Sequence, residues 1–114
     1  MWYDPEPMDL HNLALERSLA FHREITRRLI DDPAVLERAR RRVKDWLAQN
    51  PDRPYARAWD KILSGDPESI AALLADRNEL ADELRQSSPF AGVLDARERW
   101  AIWRETQEKF AGER

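Results

Sequence analysis

The stretch Leu84-Arg85-Gln86-Ser87-Ser88-Pro89-Phe90-Ala91-Gly92-Val93-Leu94-Asp95 runs into a second block, Arg97-Glu98-Arg99-Trp100-Ala101-Ile102-Trp103-Arg104. Phe90, Val93 and Leu94 are too apolar for a solvated loop. Pro89 biases Ser88 away from the helical region, and Gly92 can take backbone angles closed to other residues. These features predict an ordered Ser-Ser-Pro-Phe-Ala-Gly loop before the last helix, with Phe90 and Leu94 tucked beneath the helices. Asp95 reads as an N-cap. Glu98, three residues on, completes a capping-box-like pair with Asp95 in place of the usual Ser or Thr. In the helix that follows, Ala96, Trp100, Trp103, Gln107 and Phe110 fall on one stripe.

Outward from this stretch the chain reads as helix throughout. Leu15, Leu19, His22, Ile25 and Leu29 recur at helical spacing and predict a first helix over Asp9 to Ile30. Asp32 then caps a second helix, with Pro33 at its first position, running to about Ala48. Its apolar face is Leu36, Ala39, Val43, Trp46 and Leu47, and Arg38, Arg41 and Lys44 lie opposite. A turn over Asn50 to Pro54 leads to a third helix ending at Leu63, with Trp59 inward, and Ser64-Gly65 stops it. A fourth begins at Pro67. It either breaks between Asp76 and Glu79, which have capping spacing, or continues bent to Arg85. No strand pattern or internal repeat is present. The predicted fold class is all-α: a compact bundle of about five helices over 9–114, preceded by an extended arm over 1–8.

At 114 residues the chain is one domain, and 36% charged residues with only 3 Gly is a helix-former composition. With no Cys, disulfides and thiolate metal sites are excluded, which fits a reducing compartment. No apolar run approaches the roughly 20 residues needed to cross a bilayer, and the N-terminus lacks a signal-peptide pattern. The expected location is cytoplasmic, with no membrane contact.

The block Arg85-Gln86-Ser-Ser-Pro-Phe-Ala-Gly-Val-Leu, followed by Arg97-Glu98-Arg99-Trp100 and Trp103-Arg104, resembles small bacterial proteins encoded beside nucleotidyltransferase-type toxins. In such pairs the helical partner is the antitoxin, as in the MenA-like antitoxins of MenT-type toxins. Leu19-Ala20-Phe21-His22-Arg23 and Tyr55-Ala56-Arg57-Ala58-Trp59 fit the same pattern loosely. The resemblance implies a protein that binds a cognate toxin, covers its active site and has no catalytic residues of its own.

Other signals point elsewhere. The basic run Arg38 to Lys44 could neutralise phosphates. The net charge is nevertheless -3, so only weak or no nucleic-acid binding is expected, and an acidic partner protein is the third reading of this face. Helices three and four have helix-turn-helix spacing, yet Pro67 to Ala75 holds no Arg or Lys to read DNA, which weighs against a DNA-binding autorepressor. Arg17 and His22 match the Arg-x4-His spacing of HEPN ribonucleases, in which His22 would be the acid/base and Arg17 would steady phosphate charge. His22 also sits on an apolar stripe, where a buried, hydrogen-bonded histidine is the ordinary explanation. His11 and His22 are three turns apart, about 16 Å by helical rise, and cannot hold one metal ion. No phosphate loop or nucleophile elbow occurs, and no cofactor is expected.

The composite expectation is a toxin-binding antitoxin, with an HEPN-like ribonuclease as the first alternative. The expected contact residues are Arg85, Gln86, Ser87, Phe90, Arg99, Trp100, Trp103 and Arg104, with Arg38, Arg41 and Lys44 as a second, anion-facing surface. One of the two tryptophans is expected to be buried and the other partly exposed. Self-association is compatible with this reading.

Overall fold

Nothing between Met8 and Asp31 interrupts a helix: there is no glycine or proline, and apolar residues recur every three or four positions. The result is α1 (Pro7–Asp31), the 25-residue spine of the molecule. The computed structural model describes residues 7–112, with side chains from Leu10 onward. Most of the arm expected over 1–8 lies outside the described residues, and its last two positions, Pro7 and Met8, already belong to α1.

Five further helices follow: α2 (Pro33–Gln49), α3 (Pro54–Leu63), α4 (Pro67–Leu74), α5 (Glu79–Gln86) and α6 (Ala96–Gly112). No strand occurs among the described residues. Helices α2, α4, α5 and α6 all pack on α1, and α3 packs on α2. The described residues are therefore all-α with six helices, where about five were expected.

Local chemistry accounts for the boundaries. Asp32 accepts the Ala34 N–H at 3.0 Å and Asp66 accepts the Ser69 N–H at 2.7 Å, each with proline at the first helical position. The open question in the fourth helical segment resolves as a break. Asn78, rather than Asp76, caps α5, its side chain accepting the Ala81 N–H at 2.8 Å. The box before α6 forms as its sequence requires: Glu98 N–H donates to Asp95 Oδ1 at 2.8 Å, and Asp95 N–H donates to Glu98 Oε1 at 3.2 Å.

The core is one cluster drawn from every helix except α6. It includes Ile25 and Leu29 of α1, Leu36 and Val43 of α2, Trp59 and Leu63 of α3, Ile70 and Leu74 of α4, and Leu84 of α5. Phe90 and Leu94 join it from the α5–α6 connection, 2% and 4% exposed. Trp59 is fully enclosed and meets Phe90 edge to face, ring centroids 6.1 Å apart.

Helix α6 departs from the stripe expected for it. No residue of α6 is buried, and Ala96, Trp100 and Gln107 are exposed. The half-buried side holds Glu98, Ile102 and Thr106, spaced by four residues, with Trp103 and Phe110 on its shoulder. On that side Glu98 bonds to Asp95 and pairs with Arg28 of α1, and Ile102 packs against the core, so the face carrying Glu98 and Ile102 is the one turned toward α1. A stripe count that places Trp on the core side ignores this charge pairing.

Candidate functional site

The α5–α6 connection is held by short polar contacts as well as by Phe90. His22 Nδ1 lies 2.8 Å from the Ser18 carbonyl, and Nε2 lies 2.8 Å from Ser88 Oγ. A carbonyl only accepts, so Nδ1 carries the proton and Nε2 accepts from the Ser88 hydroxyl. The Ser88 oxygen in turn accepts the Phe90 N–H at 3.2 Å. Trp59 Nε1–H points to Ser87 Oγ at 3.4 Å, and Arg28 donates to the Val93 carbonyl at 3.1 Å. Gly92 takes φ 90°, a conformation that glycine adopts without a side-chain penalty.

Burial pushes the His22 pKa down to about 4; the bond to Ser18 opposes this and the nearby Arg85 charge adds to it. Both ring nitrogens are engaged and the residue is 5% exposed, the arrangement of a structural histidine. Arg17, its partner in the ribonuclease reading, is half-buried on the same helix. The pH consequence has a definite sign. The unfolded imidazole takes up a proton near pH 6.5, whereas the folded one resists until about pH 4. Stability from this group is complete above the unfolded value and is lost as pH falls from 6.5 toward 4, by about 3 kcal/mol. Glu16 and Glu24, held low by Arg77 and Arg27, act only below their ordinary value of 4.5. Thermal melts of wild type and His22→Gln between pH 6.5 and 4.5 should show a falling Tm in wild type and a flatter profile in the variant. Equal slopes in the two proteins would show that His22 is not the source.

Arg85 is 4% exposed and acts as a clasp. Its Nη1 donates to the Leu74 carbonyl at 3.0 Å and the Asp76 carbonyl at 2.7 Å, and its Nη2 pairs with Asp82. These are the free carbonyls at the end of α4, so Arg85 closes the α4–α5 break. Its Nε–H is buried without an acceptor.

The expected contact residues therefore divide. Arg85 and Phe90 are buried and Ser87 is half-buried against Trp59, so none of the three projects from the surface. Gln86, Arg99, Trp100 and Arg104 are exposed, and Trp103 is half-buried. The expectation of one buried tryptophan is not met. Instead Trp100, 58% exposed, stacks on Trp103 with ring centroids 5.1 Å apart and planes 17° apart. Arg97, Arg99 and Arg104 flank this pair, all exposed and without a carboxylate partner among the described residues. On α2, Arg38, Arg41 and Lys44 are exposed as the periodicity implied, while Arg40 turns back to the Leu63 carbonyl at 2.8 Å.

A pocket of 260 Å³ opens between α1 and the α5–α6 connection, with Arg99 of α6 at its edge. Phe21, Ile25, Phe90 and Leu94 give it apolar walls, and Arg85 and Arg99 contribute its cations. Sequence reasoning placed Arg99 and Phe90 in the site but not Phe21 or Ile25, whose spacing reads as ordinary core. A larger cleft of 350 Å³ between α1 and α6 is lined by Glu16, Arg23, Glu24, Arg77 and Glu105, several of them already paired. Among the described residues no group of three His, Asp or Glu could hold a metal ion, and no helix is long and apolar enough to cross a membrane.

The class defined by this geometry is a small all-helical domain presenting a stacked tryptophan ledge with arginines around it. Compared with family models, with curated proteins and with solved structures, the chain matches none of them.

Proposed function

We propose that the protein is a binding module that docks an acidic surface of a partner protein on the Trp100–Trp103 ledge of α6. The partner is a nucleotidyltransferase-type toxin, which the module neutralises by covering its nucleotide or RNA entrance. The observation that carries the binding reading is the exposed, stacked tryptophan pair. A chain that encloses Trp59 completely leaves Trp100 58% exposed, and tryptophan and arginine are the residues most enriched at binding hot spots. Stacking pre-orders both indoles, which lowers the entropy lost on docking. The unpaired Arg97, Arg99 and Arg104 call for a partner patch of opposite charge. The toxin identity rests on the resemblance of the Arg85 to Arg104 block, and a cytoplasmic bacterial setting goes with it.

The test is titration calorimetry with the product of the neighbouring gene, together with an assay of that protein for nucleotidyl transfer. Wild type should inhibit the transfer. Trp100→Ala and Trp103→Ala should each weaken binding by about thirtyfold, roughly 2 kcal/mol. Trp100→Ala should melt close to wild type, because its ring touches solvent and Trp103 rather than the core. Uninhibited transfer, or wild-type affinity in both variants, would end the proposal.

A further inference from the structure

We propose that the 260 Å³ pocket between α1 and the α5–α6 connection is a socket for one apolar side chain of the partner protein with a carboxylate beside it. This rests on the partner-binding reading above and supplies its anchor. The volume lies under the roughly 300 to 1,000 Å³ of pockets that enclose whole small-molecule ligands, so a single side chain is the better fit. The walls are preformed. Phe90 and Leu94 are locked in the core, and the His22–Ser88 bond fixes the connection that carries them.

Charge selects the occupant. No Asp or Glu lines this pocket, whereas Glu16, Glu24 and Glu105 line the α1–α6 cleft. Arg99 reaches the pocket from α6, exposed and without a carboxylate partner among the described residues. Arg85, also in its lining, is neutralised by Asp82 yet keeps one buried N–H with no acceptor. The socket also continues the ledge: Arg99 and Trp103 are four residues apart on α6 and share a side of the helix.

The probe is N-acetyl-L-phenylalaninate, with N-acetyl-L-phenylalanine amide as its uncharged counterpart, titrated into the isolated protein and followed by amide and guanidinium NMR. The carboxylate should bind saturably with Kd on the order of 1 mM, shifting the Ala91, Gly92 and Arg99 amides and the Arg85 Nε–H. The amide should bind roughly tenfold more weakly. Ala91 is exposed and lines the pocket, so Ala91→Trp should plug it and abolish the shifts while the protein melts normally. Arg99→Glu should lose the preference for the charged probe. In the toxin titration, Ala91→Trp should weaken binding as Trp100→Ala does. Absence of saturable shifts, or equal affinity for the two probes, would overturn the socket. Tolerance of Ala91→Trp by the toxin complex would overturn its assignment to a partner side chain. The probe titration needs no toxin, so it separates failure of the socket from failure of the ledge as the toxin-docking site.

Discussion

Replacing Arg85 by Ala is expected to cost about 3 to 5 kcal/mol of folding stability, the range for breaking a buried charge pair from one side. The guanidinium is 4% exposed and joins three groups, the Leu74 and Asp76 carbonyls and the Asp82 carboxylate. Removing it orphans two carbonyls at the end of α4 and loosens the α4–α5 break. Against a total stability of about 5 to 15 kcal/mol for a domain, such a loss leaves a marginal fold. Lysine should not restore it, because one ammonium cannot span both carbonyls and the carboxylate as a planar fork does. Asp82→Asn should cost clearly less, since Asp82 is 29% exposed and water replaces part of the bond. Urea denaturation of the three variants measures this. A loss from Arg85→Ala no larger than that from Asp82→Asn would show that the carbonyl contacts carry little. The unpaired Nε–H also predicts that Arg85 is not optimal for stability alone.

Phe90→Ala is expected to lose about 3 to 5 kcal/mol for a different reason, the cavity left in a packed core. Phe90 is 2% exposed and stands edge-on to Trp59, the largest wholly enclosed side chain of the domain. It sits in an irregular segment with no helical hydrogen-bond ladder, so its ring is a principal anchor of that segment, beside Leu94, the His22–Ser88 bond and the Arg28 bond to the Val93 carbonyl. Truncation should unseat that segment along with its ring, and the 260 Å³ pocket should lose its wall. Two readouts separate this from simple destabilisation: the urea midpoint, and hydrogen exchange of the Trp59 indole N–H followed by NMR under native conditions. A variant that keeps the wild-type midpoint, or one in which the Trp59 region stays inaccessible, would contradict the pinning role. Trp100→Ala, by contrast, removes a ring already more than half in water, so its effect belongs to binding.

These effects show which properties were legible along the chain. The starts of α2, α4 and α6 were legible because each is a local event, whereas the start of α5 at Asn78 was left open. Asp32 with Pro33, Asp66 with Pro67 and Asp95 with Glu98 satisfy N–H groups within three residues of themselves, so spacing alone identifies them. Burial of Phe90 and Leu94 was legible for a related reason: apolar residues around proline and glycine cannot form a ladder and must find cover. The long stripe of α1 and the basic outer face of α2 follow from periodicity.

Tertiary structure decided the rest. The break at Asp76–Asn78 depends on Arg85 reaching back to carbonyls nine and eleven residues earlier, a contact that no local window contains. The same reach buries Arg85, which the residues alone did not indicate. The orientation of α6 depends on its packing with α1, where Arg28 pairs with Glu98 and Ile102 meets the core, and so places Trp100 outward where a hydrophobic stripe would have put it in the core. His22 was readable as either acid/base or core residue, and only the hydroxyl of Ser88, 66 residues away, occupied its second nitrogen. Sequence by itself determined where most helices begin and which apolar stretches avoid water, since both follow from neighbours along the chain. Which face of the last helix meets solvent was decided by contacts with α1 that exist only after folding.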